Sequence, residues 1–237
     1  MIILDASRSG AILDCPRRAQ FIHHHGQSTD PVVTAAQLVG EWAHKRWLED
    51  ANLNDWAQVT LPHNVGVIYD KVTPDKPTAI RQANEIALRA EVLLDAIARP
   101  WDRHRHCTEE PLSGEFADMM IRSRADVHWW HEGCAHIAEL KTGRPRASDV
   151  SQLAMTAAPL LGQGQRLRGH LLYVPRKGGD VEARTYSGQG LAAMATGLAA
   201  AWQQWGHPVP SHLCQNCPVV ECAVGRPHVT PAGRIDP

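Results

Sequence analysis

The chain has 237 residues, 43% of them hydrophobic, enough for one sizeable domain with its own core. No apolar run approaches the roughly 18 residues that begin to span a bilayer, and the opening MIILDASRSG lacks a basic stretch followed by a long apolar one. A transmembrane helix is thereby excluded, a cytoplasmic location is expected, and the net charge of −1 does not by itself mark a nucleic-acid binder.

In chain order, a short helix is expected from Ser9 to about His25, carrying Cys15 and Pro16 and ending in the polar run His23–His25. A second runs from about Val32 to Asp50, where Leu38, Val39, Trp42, Ala43 and Leu48 form an apolar stripe. Residues 52–77 read as loop with a short β-like piece at Asn64–Tyr69. From Thr78 to about Ala98 the recurrence of Ile86, Leu88, Val92, Leu93, Leu94 and Ile97 predicts an amphipathic helix, stopped by Pro100. Three strands follow at Ser113–Ile121, Ser123–Trp130 and Ala135–Lys141, the last two joined by a turn at about His131–Cys134. A helix over Ala147–Leu161, capped by Ser148 or Asp149, precedes a strand pair at Arg168–Val174 and Val181–Tyr186. An alanine-rich helix, Gly190–Trp205, leads into a proline-rich tail. This order predicts an α/β fold with a central mixed sheet flanked by helices, organised as one domain over 1–237.

The turn at 131–134 sets a register in which Trp130 faces Ala135, His128 faces Ile137 and Asp126 faces Glu139. Two carboxylates directly opposed across a hairpin repel one another. A bound Mg²⁺ or Mn²⁺, which favours oxygen ligands, reverses the sign of that interaction. Lys141, two residues beyond Glu139, projects from the same sheet face, where an ammonium can orient water and stabilise charge developing on a phosphodiester. Surface hairpins also carry Asp, Glu and Lys for solubility alone. The apolar setting of Ile137, Ala138 and Leu140 favours a buried strand with functional exceptions.

Of the six cysteines, Cys214, Cys217 and Cys222 form a CxxC with a third thiol five residues on, a spacing suited to metal rather than disulfides. A closed site needs a fourth ligand, for which Cys15, followed by Pro16, is the candidate. Spacing alone leaves structural zinc and a 4Fe-4S cluster equally open, with His212 and His228 as alternative zinc ligands. Cys107 and Cys134 receive no role. Basic residues at Arg144, Arg146, Arg166 and Arg168 are candidate phosphate contacts. Trp129, Trp130, Trp202 and Trp205 suit core packing better than base stacking.

Ala125-Asp126 followed by Glu139-Leu-Lys-Thr-Gly143 resembles the RecB-like branch of the PD-(D/E)xK nucleases. Gly40-Glu-Trp-Ala-His44 is similar to that branch's early helix motif, Gln152 to its QxxxY motif, and Cys15-Pro16 with Cys214, Cys217 and Cys222 to its cluster cysteines. The likeness spans nearly the whole chain and is nearest to compact CRISPR-associated exonucleases and their phage-encoded relatives. It departs at Ala125, in place of proline, and at Thr156, where QxxxY expects tyrosine. The resemblance implies a restriction-endonuclease-like core, with residues 1–30 and 206–237 forming a cap around a 4Fe-4S cluster. It implies Mg or Mn held by His44, Asp126, Glu139 and the Leu140 carbonyl, with Asp126, Glu139, Lys141 and Gln152 catalytic and Glu110 or Glu115 in support. It further implies exonucleolytic cleavage of single-stranded or free-ended DNA, recombination or CRISPR adaptation proteins as partners, and an oligomer in some relatives. The rival readings are a DNA- or protein-binding module of the same fold without catalysis and a zinc-stabilised protein unrelated to nucleic acid.

Overall fold

A computed structural model describes residues 3–5, 15, 32–49, 66–98 and 107–203. Among these, the elements are β1 (Ile3–Asp5), β2 (Val32–Thr34), α1 (Ala35–Glu49), β3 (Gly66–Ile68), α2 (Lys76–Ala98), β4 (Cys107–Phe116), β5 (Met119–His131), β6 (Cys134–Lys141), α3 (Ala147–Gly162), β7 (Leu167–Tyr173), β8 (Glu182–Ser187) and α4 (Gly188–Gln203). β2 and β3 form a small parallel pair; the other strands make one six-stranded mixed sheet. The helix expected over Ser9–His25, Trp205 and the cysteines after residue 203 lie outside the described residues.

β5 organises this sheet. β4 pairs antiparallel along one of its edges, from Cys107↔His128 to Phe116↔Met119. The opposite edge is shared: β1 runs parallel beside Met120–Arg122, and β6 runs antiparallel beside Val127–His131. Between these two partners, residues 123–126 have no strand on that side among the described residues. β6 continues into a parallel pair with β7, and β8 closes the far edge antiparallel.

Helices cover both faces. α3 and α4 pack over Met119, Ile121, Ala125, Ala135, Ile137 and Leu171 in one apolar cluster. α1 and α2 pack over Val127, Trp129, Ala138, Leu140 and Leu172 in the other. The two helices of that second layer approach closely because α2 presents Ala79, Ala83, Ala87 and Ala90, all buried, where larger side chains would hold the axes apart. Leu88 and Val92, expected on the buried stripe, instead point outward, 57% and 70% exposed. In the first layer, a Cβ on Gly162 would fall 1.9 Å from the Glu115 carbonyl oxygen, so only glycine lets α3 end against β4.

The β5–β6 register agrees with the expected one: Trp130↔Ala135 and His128↔Ile137. The turn is tighter than expected, with Glu132 and Gly133 at φ 49° and 69° as its central residues. The preceding turn falls at Ala117-Asp118, both also at positive φ, inside what had read as one strand over Ser113–Ile121. Ala117 does not favour a left-handed conformation, and Asp118, which tolerates one, has no glycine beside it to make the turn stand out, which is why the sequence concealed it. Helix α1 begins at Ala35 rather than Val32, because Val32–Thr34 pair with β3. The expected cap of α3 shifts as well: Arg146 occupies the N-cap, and Asp149, three residues on, accepts its N–H at 2.8 Å.

Candidate active site

The alternation of β5 breaks at Asp126. Ala125 faces the α3/α4 layer, yet Val127, two residues later, faces α1 and α2. Across the strand, Glu109 takes φ 52° and has no partner in a β4–β5 register that runs Thr108↔Val127 and then Glu110↔Ala125. The register is the same on both sides of Glu109 and Asp126, so this local distortion re-aims a side chain without adding a residue to either strand or ending it. On the other edge the β5–β6 ladder stops at Val127↔Ala138. The Asp126 carboxylate takes the next hydrogen bond itself, accepting the Leu140 N–H at 2.8 Å. Asp126 and Glu139 are therefore neighbours through a splayed strand end, rather than a regular cross-strand pair.

They line a pocket of about 440 Å³ with His44, Leu140, Lys141, Gln152, Arg144 and Arg146. α1 brings His44 from one face of the sheet. Its Nδ1 lies 2.8 Å from the Gly40 carbonyl one turn back, and its Nε2 lies 3.1 Å from Asp126 Oδ2. α3 brings Gln152 from the other face. Lys141 Nζ donates to Gln152 Oε1 at 2.9 Å and to Glu139 Oε2 at 3.3 Å, and Gln152 Nε2 donates to the same Glu139 oxygen at 3.4 Å. Thr156, one turn further along α3, donates its hydroxyl to Glu139 Oε1 at 3.2 Å.

Charge in this pocket is tightly coupled. Burial, reinforced by the negative charge of Asp126, pushes Glu139 up to about 7. Burial would also raise Asp126, but the His44 imidazolium beside it outweighs that and holds it below the usual carboxylate range. Burial would lower His44, yet Asp126 raises it to about 9. Lys141 is likewise raised against the effect of burial, by Glu139 and Asp126. Without metal the two carboxylates are thus balanced by His44 and Lys141, and a divalent cation would take the place of the His44 proton. Among the described residues, no three His, Cys, Asp or Glu side chains are arranged to enclose a metal by themselves. Two carboxylates open to a pocket suit Mg²⁺ or Mn²⁺, which keep several waters, better than a closed zinc site. His44 joins as a ligand only when neutral. Its Nδ1–H to Gly40 then leaves the Nε2 lone pair directed toward Asp126.

Other expected residues fall elsewhere. The Glu110 carboxylate is bound to His128 Nδ1 at 2.5 Å, and neither Glu110 nor Glu115 lines the pocket. Arg166 and Arg168 lie toward the N-terminal end of β7, where Arg168 pairs with His136, whereas Lys141 pairs with Tyr173 at the opposite end. That places Arg168 roughly 10 Å along the strand from the position beside Glu139 and roughly 16 Å from that beside Lys141, with Arg166 further away. Trp129 and Trp202 are buried, whereas Trp130 is 53% exposed. Cys15 is buried; Cys214, Cys217 and Cys222 are outside the described residues. Thr156 was read only as a departure from a motif. Its spacing of four from Gln152 on α3 was the available signal for a shared face.

The profile of the PD-(D/E)XK nuclease superfamily matches residues 5–222. None of the curated proteins matches the chain. Among solved structures, a candidate exonuclease from Eubacterium rectale is 13% identical, with 91% of this chain and 86% of that one covered at a TM-score of 0.55, a likeness of fold. SSO0001 is 14% identical over 84% of this chain and 90% of that one, with a TM-score of 0.36. An alkaline exonuclease from Laribacter hongkongensis is 11% identical over 73% and 90%, with a TM-score of 0.29. The matched span contains every residue of the pocket, and this chain belongs to the PD-(D/E)XK nuclease superfamily.

Proposed function

We propose that the protein is a divalent-metal-dependent deoxyribonuclease that hydrolyses phosphodiester bonds, acting as an exonuclease on single-stranded or free-ended DNA. The observation that carries this reading is the convergence of Asp126, Glu139, Lys141 and Gln152 on one pocket. Asp126 and Glu139 would hold Mg²⁺ or Mn²⁺, with the Leu140 carbonyl and neutral His44 completing the set. Such a cation, when bound, supplies Lewis-acid polarisation of the phosphate and a more acidic water. Lys141 positions the attacking water and offsets negative charge on the phosphorus oxygens. Gln152 fixes the ammonium through its 2.9 Å hydrogen bond. Arg144 and Arg146, exposed at the rim, hold flanking phosphates. The pathways this activity fits are recombination or repair, CRISPR adaptation and phage DNA processing.

The test is incubation of the purified protein with end-labelled single-stranded and duplex DNA, with and without Mn²⁺. Metal-dependent loss of the label as short products is expected. An intact, metal-binding protein that cleaves neither substrate would make this a binding module of the same fold.

A 4Fe-4S cluster on Cys15, Cys214, Cys217 and Cys222 is the second part of the proposal, pinning residues 1–30 and 206–237 together as a cap. Burial of Cys15 supports it. Closing a loop of roughly 200 residues restricts the unfolded chain far more than a short bridge does. Protein purified without oxygen should contain about four iron and four acid-labile sulfide per chain. Zinc without sulfide would replace the cluster by a structural zinc site.

A further inference from the structure

Helical threonine hydroxyls commonly bond the carbonyl one turn back. In Thr156 the hydroxyl instead reaches across to the sheet and donates to Glu139 Oε1 at 3.2 Å. Both partners are almost fully enclosed, Thr156 at 1% exposure and Glu139 at 2%. The other oxygen of the same carboxylate, Oε2, receives Lys141 and Gln152. Helix α3 therefore grips the carboxylate at both oxygens from one face, using residues four apart. The grip is itself anchored, because the Thr156 carbonyl accepts the Ser123 hydroxyl at 3.1 Å from β5. Threonine in a helix has two χ1 rotamers open to it, and the enclosed bond to Glu139 selects the one that aims the hydroxyl at the sheet.

Glu139 needs such restraint more than most carboxylates. It is buried beside Asp126, and repulsion between the two carboxylates favours a rotation of the group away from its neighbour. A hydroxyl donor on Oε1, opposite the donors on Oε2, fixes the plane of the group. An ionised carboxylate has about four lone-pair sites, so three donors leave room for a cation.

We infer that Thr156 is a positioning residue that orients the Glu139 carboxylate for metal, a role resting on the nuclease reading above. In this chain the position serves the carboxylate through a short hydroxyl. Residues that hold a metal ligand in orientation typically change metal affinity about 10–100-fold when lost.

The experiment compares wild type with Thr156→Val, which keeps the shape and removes the hydroxyl, and Thr156→Ser, which keeps the hydroxyl. Mn²⁺ binding to metal-free protein is read by electron paramagnetic resonance of the free ion, independently of activity. Cleavage of end-labelled DNA is then titrated with Mn²⁺. The valine variant is expected to bind Mn²⁺ about tenfold or more weakly. Its KM for DNA should stay within about twofold of wild type, and serine should restore affinity to a similar margin. Equal Mn²⁺ affinity in wild type and valine variant would overturn the inference while leaving the nuclease reading intact, as would a serine variant as weak as valine. A wild type that neither binds Mn²⁺ nor cleaves would overturn the nuclease reading and this inference with it. Circular dichroism and melting midpoint confirm that each variant is folded; Thr156→Ala, judged by the same outcomes, replaces a valine variant that is not.

Discussion

Replacing Lys141 by alanine should lower the rate of DNA cleavage by about 10²–10³-fold at saturating Mn²⁺, the usual cost of one charge-stabilising donor in an enclosed site. Lys141 is 17% exposed at its side chain and is held by Glu139 and Gln152, so its ammonium is placed before any substrate arrives. Its charge is secure across the neutral range, because its carboxylate neighbours raise it above the ordinary lysine value. The effect should fall mainly on kcat, since Arg144 and Arg146 at the rim remain to hold phosphates. Single-turnover cleavage of end-labelled DNA measures this without interference from product release. A variant retaining a tenth or more of the wild-type rate would remove Lys141 from the chemistry. Glu139→Gln supplies the complementary outcome: the carboxylate that should hold the metal is gone, so cleavage should fail at any practicable Mn²⁺ concentration.

The stability contributed by a histidine cluster on the opposite face of the sheet from Glu139 should rise between about pH 4 and pH 6.5; it is read as a difference between wild type and His170→Gln, because Glu139, raised to about 7, gives the opposite slope over much of that window. His136 Nδ1 lies 3.1 Å from His170 Nε2, and His170 Nδ1 lies 2.9 Å from the Thr185 hydroxyl. The two imidazoles are nearly coplanar, at 8°, and Trp129 packs over both, with ring centroids at 4.9 and 5.4 Å. Burial, followed by the charge of His136 and then of Arg168, lowers His170 to about 4; burial, Arg168 and His131 also lower His136. In the unfolded chain these groups titrate near the ordinary histidine value. Between the two values the unfolded chain binds the proton that the folded chain excludes. This contribution is therefore complete above the unfolded value, is lost as pH falls through the window, and levels off below the folded value. For His170 it corresponds to roughly 3 kcal/mol. His170→Gln keeps a polar group near Thr185 without titrating here, so the stability difference between wild type and this variant should grow with pH across the window. Chemical denaturation of both proteins at a series of pH values is the measurement. A difference that does not change across the window would mean that the cluster accepts protons in the folded state.

The hairpin at the centre of this protein was legible in the sequence because local chemistry specifies it. Gly133 marks the turn, and the strand pattern on either side fixes a register in which His128 meets Ile137. α2 and α3 were legible for the same reason, since an apolar period over many residues survives small errors at the ends. The Ala117-Asp118 turn was not, because the positive φ of Ala117 is imposed by the sheet and Asp118 alone is a weak signal without a glycine beside it. Nor was β1, a three-residue strand whose place beside Met120–Arg122 is a long-range pairing with no local signature.

The candidate site divides along the same line. Asp126, Glu139 and Lys141 could be chosen from spacing alone, since a two-residue period puts Glu139 and Lys141 on one face. His44, Gln152 and the cluster cysteines came from a resemblance, as their distances in the chain say nothing of proximity. What the sequence by itself determined is which charged side chains are candidates for a site, and on which local elements they sit. Only the tertiary structure decided how they meet. The local distortion at Glu109 and Asp126 re-aims the Asp126 carboxylate onto the Leu140 N–H, α1 and α3 arrive from opposite faces, and Thr156 closes on the second oxygen of Glu139. Local propensity acts over a few residues, whereas these contacts are set by where the sheet splays and which helices pack over it, and that is a property of the whole core.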